Sequence, residues 1–254
     1  YSVGQHKFVP FDENSHKCNN CGETEEHSMT NNSCTVCEYS PVMVAAIGEA
    51  KYPTIQAAVN AAQSGDTIVI IDNIALSSTS VIPNSDGYGT LVNVAGKAVT
   101  IDLNGKRIDV SHDTDEMLMA VFASDTGGTL TLKDSVGSAI VNVVSNENDV
   151  YSVATSYNDS SVLYIESGSY YVDAVGHYSM IYSGENNNTV ISGGHFSLGN
   201  AGTRPEGDVY YPWIFNAYGD GYHYITVTGG TYNAYPMHHH GEVRVPDGYC
   251  VGGP

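Results

Sequence analysis

The chain has 254 residues, 41% of them hydrophobic, enough for one large domain and a small module. Nine Lys and Arg against 28 Asp and Glu give a formal net charge of −19, which repels nucleic-acid backbones and anionic lipid and opposes polyuronates or sulfated glycans unless Ca²⁺ bridges the like charges. No window holds the roughly 18 apolar residues of a spanning helix, so no membrane insertion is expected.

Charged residues are only 15% of the chain, beside 19 Tyr and 27 Gly. A surface of uncharged hydrogen-bonding groups points to an extracellular address, secreted or attached to a cell wall, with neutral sugars, cations or a protein surface as partners. No signal peptide opens the chain at Tyr1, and a leading Tyr without an initiator Met reads as a mature or truncated chain.

Residues 1–43 form the expected small module. Cys18, Cys21, Cys34 and Cys37 fall as CNNC and CTVC, and two such turns supply the four thiolates of a tetrahedral structural Zn²⁺. A segment this short and this poor in large apolar residues needs a metal or disulfides to hold it. Zinc is the preferred reading, because the two cysteines of one CxxC lie awkwardly close for a bridge within their own turn. His6, His16 and His27 surround the turns, where they replace a cysteine, support a second metal or decorate the surface. The stretch HKFVPFDENSHKCNNCGETEEHSMTNNSCTVC resembles small Cys/His zinc-ribbon-like modules in surface proteins of gut Firmicutes, which implies a structural spacer.

Residues 44–254 are expected to be a single repetitive domain. In KYPTIQAAVNAAQSGDTIVII, Thr54 caps a helix whose apolar face is Ile55, Ala58, Val59 and Ala62, Gly65 stops it, and Thr67–Ile71 begins a β run. Strand-like runs then recur at intervals of about 30 residues: VTIDLNG, TLTLKDS, VLYIESGSY, TVISGGHF and ITVTGGTY. A second run precedes the last four: MLMAVFASD, YSVATSY, HYSMIYSG and YPWIFNAYG. Two short strands per unit with Gly, Asn and Asp turns predict stacked coils. Ile101 and Leu103, Leu130 and Leu132, Leu163 and Ile165, Val190, then Ile225 and Val227 are expected to point inward, with Tyr170, Phe196 and Tyr232 stacked after Gly corners. The helical segment resembles the amino-terminal cap of right-handed parallel β-helices of the pectate-lyase-like superfamily. The repeats are similar to those of clostridial cell-surface β-helix proteins. The fold class implied is all-β: a right-handed parallel β-helix with an N-terminal capping helix, preceded by the zinc-ribbon-like module.

For chemistry, the acidic turn DVSHDTDE carries Asp109, Asp113, Asp115 and Glu116, which read as a solvated loop or weak Ca²⁺ site before a hydrolase pair. MHHHGE offers His238, His239, His240 and Glu242, of which a strand would let only His238 and His240 converge. Cys250 reads as a small buried residue. The binding candidates are Trp213, Tyr211, Tyr218, Tyr222, Asp220 and Asn216, where flat rings stack on sugars and Asp and Asn bond hydroxyls. The same aromatics would also close the end of the core. The leading expectation is adhesion or glycan binding without catalysis; the alternative is a polysaccharide-active lyase or hydrolase using a groove on the β-helix.

Overall fold

One column of side chains defines the large unit. Ile68, Ile101, Leu132, Ile165, Ile191 and Val227 lie in register on successive parallel strands, all of them buried. Beside it run Val99, Leu130, Leu163, Thr189 and Ile225. Because side chains alternate across a strand, one register carries both columns inward and leaves Thr67, Thr100, Thr131, Tyr164, Val190 and Thr226 outward. This is a computed structural model describing residues 6–30, 33–37, 39–77, 81–83, 89–112, 118–145, 152–158, 160–174, 179–199, 213–217, 224–234 and 243–248.

The protein is a parallel β-solenoid preceded by a small Cys/His module, and the chain separates into two compact units, Tyr1–Met43 and Val44–Pro254. Each coil of the solenoid contributes to three sheets. The first contains Gly89–Ala95, Leu118–Asp125, Ala154–Tyr157, Ser179–Ser183 and Trp213–Ala217. The second, nine-stranded, carries the columns above, and the third contains Ile74–Ser77, Arg107–His112, Ile140–Ser145, Ser169–Ala174, His195–Leu198 and Thr231–Tyr232. The sequence pattern predicts two strands per unit; the third follows its turn so closely that it reads as a continuation of the strand before it. Val190 is also corrected: it faces outward beside Tyr164, and Thr189 and Ile191 are the buried residues of that strand.

The third strand holds the aromatic stack. Tyr170, Phe196 and Tyr232 share a register position, their rings parallel at 5.3 and 5.4 Å between centroids. The doubled glycine before it has two separate duties. At Gly193 a Cβ would run into the carbonyl oxygen of Glu166 on the preceding coil, and at Gly194 the backbone turns through φ 109°, where L side chains are disfavoured. Gly229 and Gly230 repeat the arrangement one coil later.

The open edge of the first coil is covered. Ala45–Ile47 pairs antiparallel with Thr67–Ile70, and Ile82–Pro83 with the start of Gly89–Ala95. Helix α1, Ile55–Ala61, is capped by Thr54, whose hydroxyl accepts from the Ala57 amide at 3.0 Å, and it buries Ile55, Ala58 and Val59 in the solenoid core. The Gln56 side chain then acts as a strand neighbour: its Oε1 accepts from Asn93 N–H at 2.8 Å and its Nε2 donates to Asn93 O at 3.2 Å. At the helix C-terminus Lys97 Nζ donates to the carbonyls of Val59 and Ala62 at 3.0 and 2.9 Å. Among the described residues no helix is long and apolar enough to cross a membrane.

Candidate metal centre

The small unit is built from strands β1 (Phe8–Pro10), β2 (Ser15–Cys18) and β3 (Thr24–Glu26) in one antiparallel sheet, and β4 (Met29–Thr30) with β5 (Ser33–Cys34) in a second. Few of its residues are buried: His16, Cys18, Cys34 and Cys37 are the interior, so the polar ligands occupy the place a hydrophobic core would take.

The four cysteines do not gather at one point. Cys34 and Cys37 stand with His16 and His27, all four ligand atoms lying within 4.8 Å of one another, whereas Cys18 and Cys21 stand apart with His6. Cys34 Sγ is 3.6 Å from His16 Nδ1 and Cys37 Sγ is 3.4 Å from His27 Nδ1. These are the edges of a coordination tetrahedron: donors bonded at about 2.3 Å (sulfur) and 2.0–2.1 Å (nitrogen) stand roughly 3.5 Å apart. His16, His27, Cys34 and Cys37 are therefore positioned to bind a metal ion.

Local structure aims each donor. Strand alternation in β2 buries His16 and Cys18 on one side, while Ser15 and Lys17 are only half-buried. His27 is fixed by its own amide, which donates to Asn14 O at 2.9 Å, and by the Tyr39 ring stacked on it at 4.3 Å and 5°. Thr35 N–H donates to Ser28 O at 2.9 Å, bringing the second CxxC turn up to His27. With Nδ1 of each imidazole toward sulfur, the far nitrogen needs a partner, which His27 has and His16, among the described residues, lacks within hydrogen-bond distance. His27 Nε2 is 2.9 Å from the Asp12 carbonyl oxygen, and His16 Nε2, buried, is 3.6 Å from a Glu25 carboxylate oxygen.

The electrostatics suit thiolate. Burial opposes ionisation of Cys34, but the amides of Val36 and Cys37, with His27 and Cys37 side chains, outweigh it and hold this thiol at about 5. The Asp12 carbonyl pushes the His27 pKa up despite its desolvation. At Cys18, burial is again outweighed by the amides of Cys21 and Asn20 and by Cys21, leaving the thiol at about 7. Cys21 moves up: the Glu23 amide favours its thiolate, but the hydrogen bond with Cys18, burial and the negative neighbours prevail.

Of the expected binding residues, Trp213 and Asn216 lie on the strand Trp213–Ala217, both half-buried. Alternation puts Trp213 on the side of inward Phe215 and Asn216 on the opposite side, next to Tyr182 of the preceding coil, so this strand does not join them in one platform. Tyr211, Tyr218, Asp220 and Tyr222 lie outside the described residues, as do Asp113, Asp115, Glu116, the His238–His240 run and Cys250. Of the acidic turn, Asp109 is described: it takes Arg107 at 2.7 Å and Asn142 Nδ2 at 2.7 Å.

Other solenoid carboxylates hold corners. Asp134 accepts from Gly105 N–H and Ala139 N–H at 2.7 Å, and Asp102 from Asn104 and Ser135 amides at 2.9 and 3.0 Å. Asp125 accepts from Asn158 Nδ2 at 2.8 Å and Asn93 Nδ2 at 3.2 Å. Each of these carboxylates ties one coil to the next. Comparison with family models, with curated proteins and with solved structures finds no match to this chain.

Proposed function

We propose that this chain is a secreted or surface-displayed bacterial binding protein, a non-catalytic β-solenoid that presents an uncharged surface to neutral glycans and carries a zinc-held module ahead of it. The observation that supports the reading is the outward row of the second sheet. Thr67, Thr100, Thr131, Tyr164, Val190 and Thr226 repeat once per coil, at the strand spacing of about 4.8 Å, uncharged until the row reaches Arg244 on the last strand. Tyr164 is the exposed ring in that row, at 37%. Hydroxyls in register give a repeating polymer equivalent hydrogen-bond partners, and a flat exposed ring gives a sugar face its stacking surface. With a net charge of −19, the chain discriminates against polyanionic glycans.

A second feature is the length of the segments that join the third sheet to the first. The connection from the third sheet back to the first is the variable one, at residues 113–117, 146–153, 175–178 and 199–212. The corner between the second and third sheets runs through 103–106 and 134–139 and is three residues in the later coils, at 166–168, 192–194 and 228–230. Insertions tolerated at one corner are where a solenoid varies its recognition. Residues 199–212 contain Tyr210 and Tyr211 and lead directly into Trp213. The metal is zinc in this reading, because two thiolates and two imidazoles at tetrahedral spacing suit a closed structural Zn²⁺ site.

A glycan array on the full chain tests the proposal, with Tyr164→Ala run alongside. Binding to neutral oligosaccharides, weakened about tenfold (about 1.4 kcal/mol) by Tyr164→Ala, is expected. Release of reducing ends, or rising ultraviolet absorbance on a uronate polymer, would replace it with an enzyme.

A further inference from the structure

The first CxxC turn has a donor set of its own. Ligand atoms of His6, Cys18 and Cys21 lie within 4.8 Å of one another, and both cysteines are free thiols. The turn is made the same way as the second one: Asn20 N–H points to Cys18 Sγ at 3.4 Å, as Val36 N–H points to Cys34 Sγ at 3.4 Å. It also has its own tether to a histidine. Asn19 N–H donates to Lys7 O at 2.9 Å, and Phe8 pairs with Cys18 across the β1–β2 ladder, which brings the residue before Lys7 over the two sulfurs. The Phe8 ring separates the two groups, with its centroid 5.4 Å from His6 and 4.4 Å from His16.

A carboxylate stands at the fourth side. Glu23 Oε2 is 3.3 Å from His6 Nδ1 and 4.0 Å from Cys21 Sγ. Nitrogen and oxygen bonded to one tetrahedral ion at about 2.0–2.2 Å stand roughly 3.4 Å apart, and oxygen and sulfur roughly 3.6 Å. The first separation already matches, and the second needs a few tenths of an ångström. A bare His–Glu ion pair would give no reason for two sulfurs to face it.

We infer that His6, Cys18, Cys21 and Glu23 form a second metal-ion site, taking a thiophilic divalent ion such as Zn²⁺, and that this site exchanges its ion while the Cys2His2 centre does not. The two sites share no ligand, yet β2 serves both, with His16 in one and Cys18 in the other. Glu25 lies between them: one of its oxygens groups with His6 and Glu23, and its Oε2 is 3.6 Å from His16 Nε2. The difference in lability follows from exposure. His6 and Glu23 side chains are 46% and 56% exposed and Cys21 is exposed, whereas the His16 side chain is 1% exposed. A chelator reaches the first set of donors without opening the module. The inference stands apart from any glycan ligand.

The test is a metal count on the full chain, loaded with Zn²⁺, desalted and measured by intact-mass analysis under native conditions, with the transfer of zinc to a chromophoric chelator followed in time. Two zinc ions per chain are expected, one transferring at least tenfold faster. Cys18→Ser with Cys21→Ser removes the fast ion and leaves the slow one, and Cys34→Ser with Cys37→Ser removes the slow one. His6→Ala, which changes no strand residue, supplies the check if a double variant unfolds the module: it loses the fast ion alone. A single zinc per chain overturns the inference, as does loss of all metal in both double variants, which marks one four-cysteine site. Two ions with unchanged kinetics in His6→Ala overturn it too.

Discussion

The two units of this chain reach order by opposite routes. Among the described residues of 6–39 the buried side chains are His16 and three cysteines, so the interior is made of groups positioned to bind a metal ion. In the solenoid the interior is mainly aliphatic and aromatic, each coil buries its neighbour's columns, and several carboxylates stitch one coil to the next, while His112, Ser124, Thr155 and Ser179 are polar groups inside it. One unit trades a core for coordination chemistry; the other repeats a core until its ends must be covered. The contrast predicts that perturbations stay within the unit where they are made.

The largest effect is expected at the metal. Apparent structural zinc affinities are worth about 10–16 kcal/mol at neutral pH, far more than a segment of this size gains by burial. Cys34→Ser with Cys37→Ser should therefore abolish amide dispersion for residues 6–39 in a nuclear magnetic resonance spectrum while leaving solenoid resonances in place. Next comes the aromatic stack. Phe196→Ala removes the middle ring between Tyr170 and Tyr232 and should lower solenoid stability by about 3–5 kcal/mol in denaturant titrations, with no change in zinc content.

Much of this contrast was legible in the sequence, and the parts that were not have identifiable causes. The columns through Ile101, Leu132 and Ile165 were readable because a period of two combined with a repeat near 30 residues leaves one register. At Val190 the same rule failed, because TVIS offers Thr189 as an inward residue, and a buried threonine is not marked by hydrophobicity; its hydroxyl is 2.9 Å from Ser156 Oγ inside the coil. The third strand of each coil was hidden in RIDVSH and IVNVVS, which follow the second strand after a turn of only four or six residues. For the metal site, CxxC spacing states that two sulfurs share a turn; it does not state which turns meet. The available signal was that each CxxC has a histidine of its own upstream, His6 and His27, with His16 left over to complete one set.

Smaller changes sharpen the comparison inside the solenoid. Gly193→Ala places a methyl against the Glu166 carbonyl and should cost about 1–3 kcal/mol in denaturant titrations, with no effect on the small unit. Asp134→Asn, weakening bonds to the Gly105 amide of the preceding coil and the Ala139 amide of its own turn, should cost about 1–2 kcal/mol at neutral pH. Burial resists ionisation of Asp134, but amides of Ala139, Gly105, Gly137 and Val136 outweigh it and hold its carboxyl below the usual range. A folded-state value below the unfolded one contributes stability that is complete above an ordinary carboxylate pKa of about 4 and is lost as pH falls through the folded value. Acid titration of unfolding should accordingly show a steeper loss below about pH 4 in the parent than in Asp134→Asn. The smallest effect is at the helix end, where Lys97→Met should cost about 0.3–1 kcal/mol by removing the cation from the α1 carbonyls.

Hydrogen exchange with and without a strong chelator compares the two units in one sample. The account predicts that metal removal erases protection in residues 6–39 and leaves coils 89–234 as slow as before. Protection that survives in 6–39 without metal, or that collapses in the coils as well, would contradict it.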